Sequence, residues 1–166
     1  GTATQASSVN RVVVSTDDHE ISAISRQWGA EVILRPVKIS TDISSSELAL
    51  LHALKDLHEN EGYSPDLLVF LQCTSPLTLP EDIDGAVQAL FDQEADSSLA
   101  VTPLHYFLYR RDHNGDAIGV NHDKRVRPLR QERDLQYLET GAVYVMRTKG
   151  FIWRPGTVFS VKLQCM

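Results

Sequence analysis

Short apolar runs alternate along this chain with stretches of helical period. Arg11-Val12-Val13-Val14-Ser15-Thr16 is a β-branched run that ends polar, which predicts a buried parallel strand over 11–16. A helix follows from about Asp18, with Ile21, Ile24 and Trp28 on one face and Gly29 as its stop. Residues 31–34 make a second short strand. Ser44-Ser45-Ser46-Glu47 has the form of a capping box and opens a helix in which Leu50, Leu51, Leu54 and Leu57 recur at helical spacing. The apolar run Leu67-Leu68-Val69-Phe70 predicts a central strand over 66–71. Pro80 then sits in the first turn of a helix carrying Ile83, Ala86, Val87, Leu90 and Phe91 on one side. Residues 98–103 form a further strand. This order predicts an α/β fold of three layers, with a mostly parallel sheet that contains 11–16, 66–71 and 98–103 and helices on both faces.

From Leu104 the pattern changes. Tyr106, Phe107, Leu108 and Tyr109 form an aromatic run, and His113-Asn114-Gly115-Asp116 is a hairpin turn signal. Arg125, Arg127, Arg130 and Arg133 then gather in a segment poor in core residues, before strand character returns at Gly141-Ala142-Val143-Tyr144-Val145-Met146. A polar, aromatic-edged excursion between two sheet strands reads as an insertion over 106–138. The whole of 1–166 reads as one domain, since 166 residues suit a single core and no internal repeat divides them.

Composition narrows the function. A net charge of −6 offers no basic surplus to displace counterions from phosphate, which argues against a nucleic-acid partner. No apolar run approaches a membrane span, and no secretion signal opens the chain. The two cysteines, Cys73 and Cys165, do not suggest a disulfide framework and fit a reducing cytoplasm. Zinc-ligand spacings and Gly-rich phosphate fingerprints are absent from these residues.

Candidate chemistry centres on Leu71-Gln72-Cys73-Thr74-Ser75-Pro76-Leu77. Gln72, Thr74 and Ser75 fall at the carboxyl end of a central strand, where open α/β sheets bind ligands; by itself the segment is a polar strand-to-helix loop. The arginine cluster is the one concentrated positive feature of an acidic chain. It is either a solvated loop paired to Glu132, Asp134 and Asp123, or a recognition site for carboxylate or phosphate, to which the guanidinium fork is suited. Arg35 ends a short strand on the edge expected to hold Gln72. Ser44, Ser45 and Ser46 stand at a helix start, where free N–H groups serve both as cap and as anion site. Asp17 and Asp18 could bind a metal or fill the positive end of the next helix. His52 and His58 have no partner at ligand spacing.

Val13-Val14-Ser15-Thr16-Asp17-Asp18, Leu34-Arg35-Pro36, Thr41-Asp42 with Ser45-Ser46, the Leu71–Leu77 motif, Arg127-Pro128-Leu129-Arg130-Gln131 and Glu139-Thr140-Gly141-Ala142-Val143-Tyr144 occur in this order. The combination resembles the acylneuraminate cytidylyltransferases, or CMP-sialic acid synthetases, from about residue 10 to 151. The resemblance implies a nucleotide-diphospho-sugar transferase-like, Rossmann-like fold and transfer of CMP from CTP to an acidic nine-carbon (nonulosonate) sugar with the help of Mg²⁺. It implies nucleotide-binding positions at Arg35, Ser45 and Ser46. Sugar-binding positions fall at Gln72, Thr74, Ser75 and Tyr144, with Arg127 and Arg130 as candidates for the sugar carboxylate. It makes the insertion a homodimerisation segment.

The chain also departs from the family pattern. The family's Gly/Lys-rich phosphate loop lies on a strand that precedes the helix tail seen at 1–10, and its Mg²⁺-binding Asp-x-Asp pair has no counterpart after Tyr144. Cys73 replaces a usual Pro, and Thr140 a usual Asn. Nucleotidyl transfer depends on neutralising phosphate charge, so the expectation is a domain truncated at both ends that alone turns over weakly or not at all, with no metal ligands of its own. The alternative is a non-catalytic, dimerising or sugar-binding remnant of the same fold. A third reading is activation of a related eight-carbon acid.

Overall fold

The computed structural model describes residues 1–126, 128–153 and 161–165. In chain order these form α1 (Thr2–Gln5), β1 (Val13–Thr16), α2 (His19–Gln27), β2 (Glu31–Leu34), α3 (Ser46–Glu61), β3 (Leu67–Leu71), α4 (Pro80–Asp92), β4 (Ser97–Leu104), β5 (Tyr109–Arg111), β6 (Ala117–Gly119), β7 (Gln136–Arg147), α5 (Thr148–Trp153) and β8 (Val161–Cys165). Asp18 caps α2 by accepting the Ile21 amide at 2.8 Å, and Gly29 takes up a left-handed φ of 80° just beyond that helix. Pro80 opens α4, where its missing N–H costs nothing.

The main sheet has the order β3-β7-β4-β8, while β1 pairs in parallel only with β2. Both β3 and β4 run antiparallel to β7, and β8 runs parallel to β4, so β7 alone is reversed within this sheet. The expected sheet is met at 66–71 and 98–103, which share one sheet and run the same way, and corrected at 11–16, which ladders with β2 instead. The strand containing Val143–Met146 is reached through an excursion rather than a helical crossover, which allows antiparallel entry between β3 and β4. The tail at 161–165, which pattern reading left without a role, supplies the strand beside β4.

Two apolar clusters cover the main sheet. On one face α1 and α4 bring Ala6, Ile83, Ala86, Val87 and Leu90 against Ala100, Val143 and Val145, with Leu67, Val69 and Leu71 packed alongside. On the other, Leu54 of α3 and Phe151 of α5 meet Met146, with Leu68, Phe70 and Tyr144 packed against them. β3 is thus covered on both faces, yet each of its residues is only half-buried. The exposure comes through its edge, the side away from β7. The Ile21–Ile24–Trp28 face of α2 is exposed as well, with Trp28 at 71%. Its helix buries Ser22 instead, because the two-stranded β1–β2 unit is too small to cover a whole apolar stripe.

The excursion folds as the expected hairpin: β5 and β6 pair antiparallel around a turn in which Asp112 accepts the Asn114 and Asp116 amides. Arg133 ties this segment to its base by donating to the His105 and Tyr106 carbonyls, with its guanidinium 4.2 Å over the Phe107 ring.

Candidate functional site

Gln72 follows β3 immediately, at the carboxyl end of the strand. Across from it β7 is interrupted. Leu99 of β4 stands opposite Tyr144 and Val101 opposite Glu139, so Ala100 alone faces Thr140, Gly141, Ala142 and Val143. Gly141 allows this bulge with a φ of 72°, and the Thr140 hydroxyl fills it by donating to the Ala100 carbonyl at 3.0 Å. The bulge has two consequences. The Gly141 backbone comes so close to Gln72 that a Cβ there would lie 2.8 Å from the Gln72 Oε1. And Glu139 and Tyr144, five residues apart, meet side chain to side chain, with the phenol donating to Glu139 Oε1. Burial, and then that hydrogen bond to a carboxylate, push the Tyr144 phenol up to about 12. Its ring stacks on Phe70 at 5.8 Å.

The rest of the Gln72 loop is a turn held by its own backbone: the Ser75 amide donates to the Gln72 carbonyl at 3.2 Å, and Thr78 Oγ1 to the Ser75 carbonyl at 2.8 Å. Thr74 is exposed and Ser75 half-buried. Ser45 is the N-cap of α3 and makes no side-chain cap bond; Ser46 is the first helical residue. The capping box expected at Ser44 is corrected, since Ser44 Oγ instead meets Thr41, accepting its amide at 3.2 Å. Leu50 and Leu51, about one turn into α3, pack on the same cluster as Tyr144. The N-terminus of α3 and the Tyr144 ring therefore belong to one face of the sheet.

Arg35 follows β2, its amide bonded to the Thr16 carbonyl at 2.8 Å. Its side chain is held by Ser40 Oγ at 3.0 Å and by Asp17 at 3.4 Å. Asp17 and Asp18 are thus divided between an arginine and a helix cap. Among the described residues no group of three or more His, Cys, Asp or Glu side chains gathers at metal-ligand distance.

In the arginine cluster, Arg125 pairs with Asp123 at 2.7 Å. Glu132 accepts the Leu129 amide at 3.0 Å, and Arg133 donates to backbone carbonyls. Arg127 lies outside the described residues. Arg130 is exposed and lines a cavity of about 410 Å³ with His105 and Arg133, on the base of the excursion. Residue reading gave no structural role to Glu139 or Gly141 beyond their place in a motif. A lone glycine within a strand pattern marks a bulge or a close backbone approach, and Gly141 is both.

The cytidylyltransferase family matches residues 2–153. N-acylneuraminate cytidylyltransferase B of Danio rerio is 31% identical over 157 residues, covering 90% of this chain and 34% of its own length. A 3-deoxy-manno-octulosonate cytidylyltransferase of Zea mays is 38% identical over 100 residues, covering 60% of this chain and 31% of its own length. This chain spans about a third of the length of these relatives. A solved CMP-2-keto-3-deoxy-manno-octonic acid synthetase complexed with CTP superposes over 99% of this chain and 76% of that one, with a TM-score of 0.66 at 16% identity. That likeness establishes an α/β nucleotide-sugar transferase fold. With a family match over nearly its whole length, the chain belongs to the cytidylyltransferases.

Proposed function

We propose that this chain carries the sugar-recognition part of a cytidylyltransferase that transfers CMP from CTP to an acidic nine-carbon sugar of the sialic acid type. The observation that carries this reading is the meeting of Gln72 with the Gly141 backbone at the carboxyl end of β3, beside Tyr144. Gln72 offers both donors and acceptors to a polyol, with Thr74 and Ser75 on the adjoining turn. Arg130, and Arg127 beside it in sequence, supply charge for the sugar carboxylate. Arg35, already oriented by Ser40 and Asp17, and the first turn of α3 at Ser45 and Ser46 form the nucleotide side.

Transfer needs charge neutralised at the phosphates, and the adjacent carboxylates Asp17 and Asp18 are already engaged, one by Arg35 and the other by the cap of α2. This chain alone therefore binds an acidic sugar but forms CMP-sugar at background rate. A pyrophosphate-release assay with CTP, Mg²⁺ and N-acetylneuraminate tests this, and robust turnover would refute it. Calorimetry at low salt tests recognition: Arg130→Ala and Gln72→Ala each weaken binding of N-acetylneuraminate, and equal binding by parent and both variants removes the assignment.

We further propose a homodimer built on the excursion. Tyr106, Leu108, Tyr109, Val120, Val126 and Leu129 are all exposed there, too apolar a surface to leave in water. Light scattering at micromolar concentration reads a dimer; a monomer rejects the proposal. No described helix is long and apolar enough to cross a membrane. A reducing, cytoplasmic setting is proposed from the exposed free thiol of Cys73.

A further inference from the structure

The β7 bulge does more than bring Gln72 against Gly141. It turns the Glu139 carboxylate onto the Tyr144 phenol, next to the Thr140 bond into the bulge itself. A phenol has one proton. With its one O–H engaged in a hydrogen bond to Glu139, the Tyr144 oxygen faces its surroundings with lone pairs only, and a carboxylate is acceptor-only at both oxygens. Glu139 is exposed and Tyr144 half-buried, so the pair borders solvent rather than the core. The Glu139 bond is not what holds the Tyr144 ring, which stacks on Phe70 and packs on the cluster of Leu54, Met146 and Phe151.

We propose that Glu139 is a positioning residue of the sugar pocket: by accepting the Tyr144 hydroxyl's hydrogen bond it makes this wall of the pocket an acceptor surface, which receives the hydroxyl-bearing end of an acidic polyol and turns its carboxylate away. The inference rests on the reading of this site as an acidic-sugar pocket. Its chemical content is an orientation. Hydroxyl and amide N–H donors of the sugar lie on Glu139 and Tyr144, and the carboxylate lies on a guanidinium elsewhere, because a second carboxylate beside Glu139 is repelled. The raised phenol pKa accords with this arrangement, since Glu139 favours the protonated phenol.

The test has two arms. Without ligand, phenolate absorbance is followed with pH in the parent, in Glu139→Gln and in Tyr144→Phe, the last identifying the Tyr144 signal. The Tyr144 step moves to lower pH in Glu139→Gln; an unmoved step overturns the positioning role. With ligand, calorimetry compares N-acetylneuraminate with its methyl ester. Glu139→Gln weakens both by about tenfold, the scale of a hydrogen bond to a charged group, and by the same factor, because the carboxylate is not at this wall. Unchanged binding overturns the proposal. So does tighter binding of the free acid but not of the ester, which would place the carboxylate beside Glu139. If the parent binds neither probe, the acidic-sugar reading fails and takes the orientation with it, while the phenolate arm still reports whether Glu139 governs Tyr144. Circular dichroism confirms that the exposed substitution leaves the fold intact.

Discussion

The β3-β7-β4-β8 body and the β1–β2 flank begin from the same kind of sequence and end in different states. Val145 in β7 is wholly buried, whereas Val13 and Val14 in β1 are half-buried. Ile83, Ala86, Val87 and Leu90 of α4 disappear under the main sheet, with only Phe91 of that stripe left exposed at 50%, whereas the whole Ile21–Ile24–Trp28 stripe of α2 stays in water. The difference lies in what each strand has beside it. In the body, a reversed strand fills the space between β3 and β4, and helices close both faces. In the flank, two strands carry one helix, and polar contacts take over: Arg11 reaches Glu31 on β2 and Glu61 at the end of α3, with its guanidinium 4.5 Å over the Tyr63 ring. An apolar run thus reports that a strand forms, and its neighbours decide how much that strand stabilises.

The same substitution in both regions measures the contrast. Val145→Ala removes two methyl groups from a site with no room to collapse and costs about 2–3 kcal/mol. Val14→Ala costs about 1 kcal/mol or less, since water already reaches that side chain. Urea unfolding of the two variants at equal slope checks this. Equal losses would mean that the flank is packed as tightly as the body and would break the comparison.

Gly141 tests whether the bulge belongs to the body's stability or to its site. Gly141→Ala forces a side chain into left-handed backbone, at about 1–2 kcal/mol, and drives a methyl into the Gln72 amide. The fold survives that loss, while N-acetylneuraminate binding falls by more than stability does, because Gln72 must turn away. Adding Gln72→Ala to Gly141→Ala relieves the clash and returns part of the stability without returning binding. A double variant no more stable than Gly141→Ala would show that the strain lies in the backbone alone.

Much of this was legible in residue order. The strand at Glu31–Leu34, the turn around Gly115 and the start of α4 at Pro80 follow from local signals that tertiary context did not override. The Gln72 loop was legible as a candidate site because polar residues directly after an apolar strand need a reason. Strand direction was not legible. Whether Val143–Met146 enters parallel or antiparallel depends on how the excursion returns, and no local propensity encodes that path. Nor was the pairing of Glu139 with Tyr144. Regular alternation puts residues five apart on opposite faces, and only the bulge at Gly141 brings them together. Arg133 was one of four arginines whose role residue order left open, and its fork is satisfied by two carbonyls twenty-seven and twenty-eight residues away in sequence.

The smallest effect, and the one that separates the two regions most finely, is expected in mild acid. The Arg11 guanidinium holds the Glu31 carboxyl below its ordinary range, with burial opposing it. A carboxyl whose folded pKa is depressed adds stability that is fully present above its unfolded value of about 4.3 and is lost as pH falls through the folded value. The contribution is modest, because both partners are partly exposed and salt screens them. The body has no such dependence at Val143 or Val145, whose burial is apolar. As pH falls below the ordinary carboxyl range, amides of β1 and β2 should therefore lose hydrogen-exchange protection before those of β7, and added salt at neutral pH should produce a weaker version of the same order. Arg11→Gln removes the linkage: the flank becomes less protected at neutral pH and loses less on acidification. Simultaneous loss in β1 and β7 across this window, in the parent chain, would mean that the flank opens only with the whole domain.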